Sequence, residues 1–552
     1  MSCDGDIRLA RHTIGTMAKN TTSCWQRMGF RKFTHTCAIA LCMLAGGMSS
    51  APAFAQQEAV SRANKLYETI APNLRSDTVL VPLLIKLEAA PGPFGSVGEA
   101  MLLGAETRAF PAAKAWAEKA PQKAMLEGLK KVTAESDFRK AYAWGMPYGA
   151  EAVPAEWVME KMYVELGDPP TLAAAQLLYL PKLDLLESLV QVEATRRAAM
   201  DDPNGAIDVL TDLAFFARQM ADRQLVDEAL WGMRVMQRSL DRMRDIAYVD
   251  MSTAKRKLNV DKLLPQVARL DGYILLDRMK LPAANQIAGE QVLSRVYDDK
   301  GAIRPDVFAA TMASMGVAGK PLRIFSEAAR WQGAADAQAD GATAKRILSG
   351  IYQDWTRRWA MGPFDDALNA VSAYQQFDRN KQQAVMMATP NVWQLSEWRR
   401  LNELERVGSR AALSIVGTFY SNNVLPPTPT SIRPRWMKEM EADPYNPNIQ
   451  FQGKPPLEYF VPQRGRGIAI DQNAKPHELT VVTSVPGRPS VTFKVNVKGD
   501  VFVLYSFGTD QARNGGARVQ NTAERVQGAD YLIFPSPLSL YRQYLIDAGE
   551  LQ

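Results

Sequence analysis

Cysteine is almost absent from this chain, and its placement excludes more than its number does. The four cysteines of the 552 residues are Cys3, Cys24, Cys37 and Cys42. Beyond Cys42 there is no thiol, hence no disulfide and no cysteine-based metal site. Histidine is equally scarce: His12, His35 and His477 are the three, and one late histidine cannot supply the three or four ligands of a zinc site. No Walker-type phosphate loop occurs. The nearest glycine pair, Gly465 and Gly467, meets Ile470 where a third glycine would be needed, and reads as a basic turn. There is no Gly-x-Ser-x-Gly elbow, and a serine triad would depend on His477, set between Pro476 and Glu478 in an expected loop. Long apolar runs are missing too. The most apolar stretch, Cys37 to Ala45, falls short of the roughly 20 residues that span a bilayer.

What that stretch does fit is an export signal. Arg31 and Lys32 precede it, and Ala53-Phe54-Ala55 follows as a small-residue cleavage site. The reading expects residues 1–55 to be a signal peptide cut between Ala55 and Gln56, with Met28 as an alternative start. All four cysteines would leave with it, which suits a periplasmic or secreted protein. Six of the 65 basic and two of the 59 acidic residues lie there, leaving 59 against 57. The basic balance of the whole chain is then largely a property of the leader, and nucleic acid is not an expected partner. No transmembrane segment is expected in the mature chain.

Composition is that of a globular protein, 47% hydrophobic and 22% charged, and the length allows roughly two to four domains. Residues 56–425 read as helical. Asp202-Pro203 is an N-cap followed by proline at the first helical position. Ile207, Leu210, Ala214, Ala217 and Ala221 then share a stripe. Met233, Met236, Leu240 and Met243 form another, with Arg234, Arg238, Asp241 and Arg242 between them. Leu401, Leu404, Gly408, Ala411 and Ile415 form a third. No repeat of fixed period emerges, so a multi-helix bundle or irregular helical array is expected.

The character changes at Leu425. Residues 426–462 hold nine prolines, too many for helix, and read as a linker or an ordered extended wrap. A β-rich α+β module is expected over 463–552. There Val491, Phe493, Val495 and Val497 alternate with polar residues, Gly499-Asp500 makes a turn, and Val501–Tyr505 returns as the partner strand. Tyr531–Phe534 reads as a further strand, and Ser536-Pro537 caps a last helix.

Carboxylates are the remaining catalytic resource. A pair poised for sugar hydrolysis, beside tryptophans such as Trp355, Trp359, Trp393 and Trp398, is conceivable on chemistry alone. Solvated faces and core packing explain the same residues. The most specific local pattern is Leu504–Asp510, then Asn514-Gly515-Gly516, then Asp530. Asp510, Asn514 and Asp530 are oxygen donors of the kind calcium takes, and equally the parts of a hydrogen-bonded glycine turn.

With Asp443-Pro444, the segment Gly453–Tyr459 and Phe419-Tyr420 leading to Pro426, that pattern resembles the C-terminal region of type II secretion major pseudopilins. It resembles still more a group of uncharacterised bacterial exported helical proteins with the same ending. The resemblance implies a secretion-associated, calcium-stabilised component. The chain departs from it in lacking the N-terminal assembly helix and in placing Arg513 before the glycine pair. The function expected first is a non-catalytic binding or scaffolding role in the bacterial envelope, with an envelope protein or glycan as partner. A carboxylate-dependent hydrolase of envelope glycans and a calcium-stabilised secretion component are the alternatives.

Overall fold

A computed structural model describes residues 51–551, apart from 138–139, 254, 277–278, 317–323, 362–364, 451–454, 466–468 and 523–525. The leader expected over 1–55, with its alternative start at Met28, lies outside the described residues except for its last five. Those open helix α1 (Ala51–Glu68), so the expected cleavage junction falls within that helix. Among the described side chains its buried face starts beyond the junction, at Ala59 and Val60.

The chain is mainly α with a C-terminal mixed sheet, as the change of period near residue 425 implies. Three consecutive helices form the centre: α2 (Leu180–Ala199), α3 (Pro203–Ala221) and α4 (Val226–Ser252). Asp202 does cap α3, its carboxylate accepting from the Gly205 N–H at 2.9 Å. The expected stripe of α3 is buried, but so is nearly all the rest of this helix. It is walled on several sides, packing on both α2 and α4. At Gly232 of α4 the approach is so close that a Cβ would meet the Ala221 nitrogen at 2.4 Å and the Ala217 oxygen at 2.5 Å.

The methionine stripe of α4 is buried as its spacing implies. Asp241 and Arg242, which fall between those methionines in sequence, are only 3% and 2% exposed. That side of α4 meets not water but the C-terminal module. Helix α5 (Gly341–Ala360) lies further out, and α6 (Val392–Asn422) packs along α4. Residues 426–457 run as a wrap against this body where they are described, burying Ile432, Trp436, Met437, Tyr445 and Leu457. Glu458–Phe460, expected in the same stretch, already form a strand of the C-terminal sheet, which thus starts before residue 463. The Trp436 ring occupies the space a Cβ at Gly417 would need, 2.1 Å away.

A two-stranded ladder, β1 (Val164–Glu165) with β2 (Gln176–Leu177), sits within the helical part. The main sheet comprises β3 (Glu458–Phe460), β4 (His477–Thr483), β5 (Val491–Val497), β6 (Val503–Ser506), β7 (Arg518–Gln520) and β8 (Asp530–Phe534). Their order is β3-β6-β8-β7-β4-β5. The expected β5–β6 hairpin is not formed. β5 pairs with β4, while β6 lies four strands away between β3 and β8. Burial explains the separation. Every residue of β6 is buried, which demands a central position, whereas β5 exposes Thr492, Lys494 and Asn496 and suits an edge. His477, expected in a loop, instead opens β4, bonding to the Gly516 carbonyl at 3.1 Å.

Both faces of the sheet are covered. Leu504, Tyr531 and Ile533 join the core of the helical body. Val503, Tyr505 and Leu532 point the other way, into a second core with Leu538, Tyr541 and Leu545 of α7 (Pro537–Asp547) and with Val97 and Met101. Ser536 caps α7 as its sequence implies.

Candidate functional site

The open edge of β5, the C-terminal half of α4 and the outer face of α7 enclose two cavities of about 630 Å³ each. Tyr248, Ser252, Val495 and Leu540 belong to the walls of both, so the two form one groove along the seam of helical body and sheet. Two large apolar side chains left partly open, Val249 (44% exposed) and Tyr544 (36%), face its first half.

The floor of that half is ionic. Asp245 of α4 takes two bonds from Arg542 of α7, at 3.0 and 2.9 Å, and further bonds from Arg242 and the Ser539 hydroxyl. Arg542 spends its other donors on the carbonyls of Leu102 and Met101, at 3.1 and 3.0 Å. Arg242 reaches the Thr195 hydroxyl at 2.6 Å. Burial would push the Asp245 carboxyl up, but Arg542 and Arg242 outweigh it and hold it at about 2. Burial and the neighbouring Arg542 bring Arg242 down to about 10, against the pull of Asp245. Asp245 is thus a fixed anion near neutrality, bound by cations, and cannot serve as a general acid.

A second buried cluster lies one turn away, deeper in the seam. Arg244 bonds to Glu405 of α6 and to Asp241 at 3.3 Å, and Glu405 accepts from the Tyr531 hydroxyl of β8. Burial raises the Asp241 carboxyl to about 7, with Glu405 and Asp245 adding to the effect and Arg244 opposing it. These clusters tie α4 to α6, β8 and α7 at once.

The calcium candidates sit at the far side of the sheet. Asp530 accepts from the N–H groups of Asn514 and Gly516, at 3.1 and 2.7 Å. Asp510 accepts from Ala512 and Gly528, at 3.0 and 2.8 Å, and Asn514 donates to the Ala512 carbonyl at 3.1 Å. The structure therefore brings the three together, with all four carboxylate oxygens engaged by backbone donors. Asp443, part of the same sequence pattern, is fully buried against the end of β6. It accepts from the Ser506 hydroxyl at 2.7 Å and from the N–H groups of Tyr445 and Phe507, and burial raises its carboxyl to about 6. Gly453 and Lys454 of that pattern lie outside the described residues.

None of the tryptophans considered as a sugar platform lines the groove. Trp355 is buried against Tyr352 and Tyr374, Trp359 lies under Arg399, and Trp393 is 48% exposed at the start of α6. A third cavity of about 640 Å³, between α5 and α6, holds Arg406 bonded to Glu403 and Glu441; no tryptophan lines it either.

The groove itself was not read from sequence. Its signals were present but ambiguous: polar Thr492, Lys494 and Asn496 mark an edge strand, and Arg242 with Asp245 on an apolar helix marks a buried ion pair. No family model, curated protein or solved structure matches the chain, so the functional reading rests on this geometry.

Proposed function

We propose that the protein is an exported envelope component that binds another molecule in the seam groove without transforming it. The observation that carries this is the groove: two joined cavities with open apolar side chains over a floor whose one carboxylate, Asp245, is held by two arginines. An ionically bonded floor gives a rigid receptor surface, and its buried carboxylate, Asp245, is held as an anion and is not an acid poised for turnover. A photo-crosslinking amino acid placed at Val249 or Tyr544 is expected to capture a reproducible partner in the native envelope fraction. The same amino acid at Met159, 76% exposed and remote in sequence, is not. Equal capture from all three positions, or none from the groove positions in exported, folded protein, overturns the reading.

The two alternatives draw less support. Glycan hydrolysis asks for paired carboxylates beside tryptophan; among the described lining residues there is no tryptophan, and the buried carboxylate Asp245 is locked to arginine. A calcium-stabilised component asks Asp510 and Asp530 to share carboxylate oxygens that already accept from backbone N–H groups. EDTA is expected to leave Tm unchanged, and a drop restored by calcium would favour that alternative.

A further inference from the structure

We propose that the groove receives an extended polypeptide segment that adds to β5 as a seventh strand, its acidic side chains lying at the Arg256–Lys498 end. This rests on the binding reading above and names the class of partner.

The direction of the backbone groups follows from one bond and one register. The Thr480 N–H donates to the Ala517 carbonyl at 2.8 Å, toward β7. Thr480 is paired with Lys494 across the antiparallel β4–β5 ladder. Since Thr480 turns its polar groups away from β5, this pair is non-hydrogen-bonded, and Lys494 turns its N–H and C=O away from β4. The period of two extends the result to Thr492 and Asn496. Three N–H and three C=O groups therefore face outward, and among the described residues none has a hydrogen-bond partner. The groove lies on that side, since β5 lines both cavities and β4 lines neither.

Natural sheets usually blunt such an edge with lysine, proline or a covering segment. Here no proline occurs in Val491–Val497. The one lysine is drawn back over the sheet to Glu478, 2.9 Å from its Oε1. Strand addition supplies affinity through the backbone ladder, while alternate side chains enter pockets on the facing wall. Val249 and Tyr544 form that wall.

Charge sets the composition of the guest. In the second half of the groove Arg256 donates to the neutral Asn423 side chain at 3.0 Å, and Arg464 to the carbonyls of Pro426 and Leu425. With Lys498 these face Asp500 alone among acidic wall residues of that cavity. The end is net positive, and acidic side chains complement it.

The test is to pan a phage-displayed library of random ten-residue peptides on the purified protein. Enrichment of alternating apolar sequences ending in Asp or Glu is the expected result. Binding of a synthetic copy should slow amide exchange at Thr492, Lys494 and Asn496. N-methylation of that peptide at alternate residues should weaken it at least tenfold. Lys494→Pro removes an outward donor without touching the β4 ladder and should do the same. Arg256→Glu with Lys498→Glu should weaken it comparably. Selected peptides without acidic residues, or binding indifferent to N-methylation, overturn the proposal even if a protein variant fails to fold. If no peptide is enriched while crosslinkers in the groove still capture a partner, strand addition falls and the binding reading stands; if neither succeeds, both fall.

Discussion

Asp245 is the residue on which the seam depends. Its carboxylate is fully buried and tolerated because Arg542 and Arg242 surround it. Arg542→Leu would leave one cation for this anion and strand the Leu102 and Met101 carbonyls. Removing one partner of a buried pair costs about 3–5 kcal/mol, and urea unfolding of the variant is expected to show a loss of that size. Asp241, one turn earlier, behaves oppositely. Its folded carboxyl titrates at about 7, above its unfolded value, because burial outweighs Arg244. Between those values the folded state holds a proton that the unfolded state has lost, so stability falls as pH rises. Urea midpoints are expected to decline from about pH 4 to about pH 7 and level off above, and Asp241→Asn should flatten part of that slope. An unchanged slope would show that Asp241 is ionised throughout.

At the scale of elements, close approach decides what each helix tolerates. Gly232→Ala sets a methyl against backbone atoms of α3 that cannot rotate away. It is expected to cost about 1–3 kcal/mol by thermal or urea unfolding. Gly350→Ala, in α5 with nothing within 4 Å, should instead gain about 0.5–1 kcal/mol from helix propensity. Sequence periodicity made such elements legible where burial is one-sided. The α3 cap at Asp202, the alternation of β5 and the Ser536 cap of α7 were all readable because each obeys a local rule. The pairing of β5 was not, since alternation names a face but never a neighbour. The burial of Asp241 and Arg242 was not legible either, because a charge pattern does not reveal which charges lie opposite it. The groove was hidden for the same reason: its walls come from residues near 105, 250, 495 and 540, which no local rule brings together.

For the whole molecule, the sheet is not a separate appendage. Its faces complete two cores, one shared with the helical body and one with α7 and the segment around Met101. Body and sheet are therefore expected to unfold in one transition. All tryptophans precede residue 437, so their emission follows the body. A dye on Thr492→Cys, in protein beginning at Gln56, follows the sheet through the sole thiol. Coincident urea curves are expected; a dye transition at lower urea would show the sheet detaching first.

The span of the Asp245–Arg542 pair, 297 residues, has a temporal meaning. A chain delivered from its N-terminus, off a ribosome or through a pore, presents α4 long before α7 exists. Until then Asp245 has only Arg242 of its own helix, Glu405 awaits the Tyr531 hydroxyl a further 126 residues on, and seating α4 would bury these charges with part of their compensation missing. The seam reaches its full set of ionic bonds only when α7 is present. Vectorial delivery thus leaves the seam open until α7 arrives, and α7 acts as the latch that closes it.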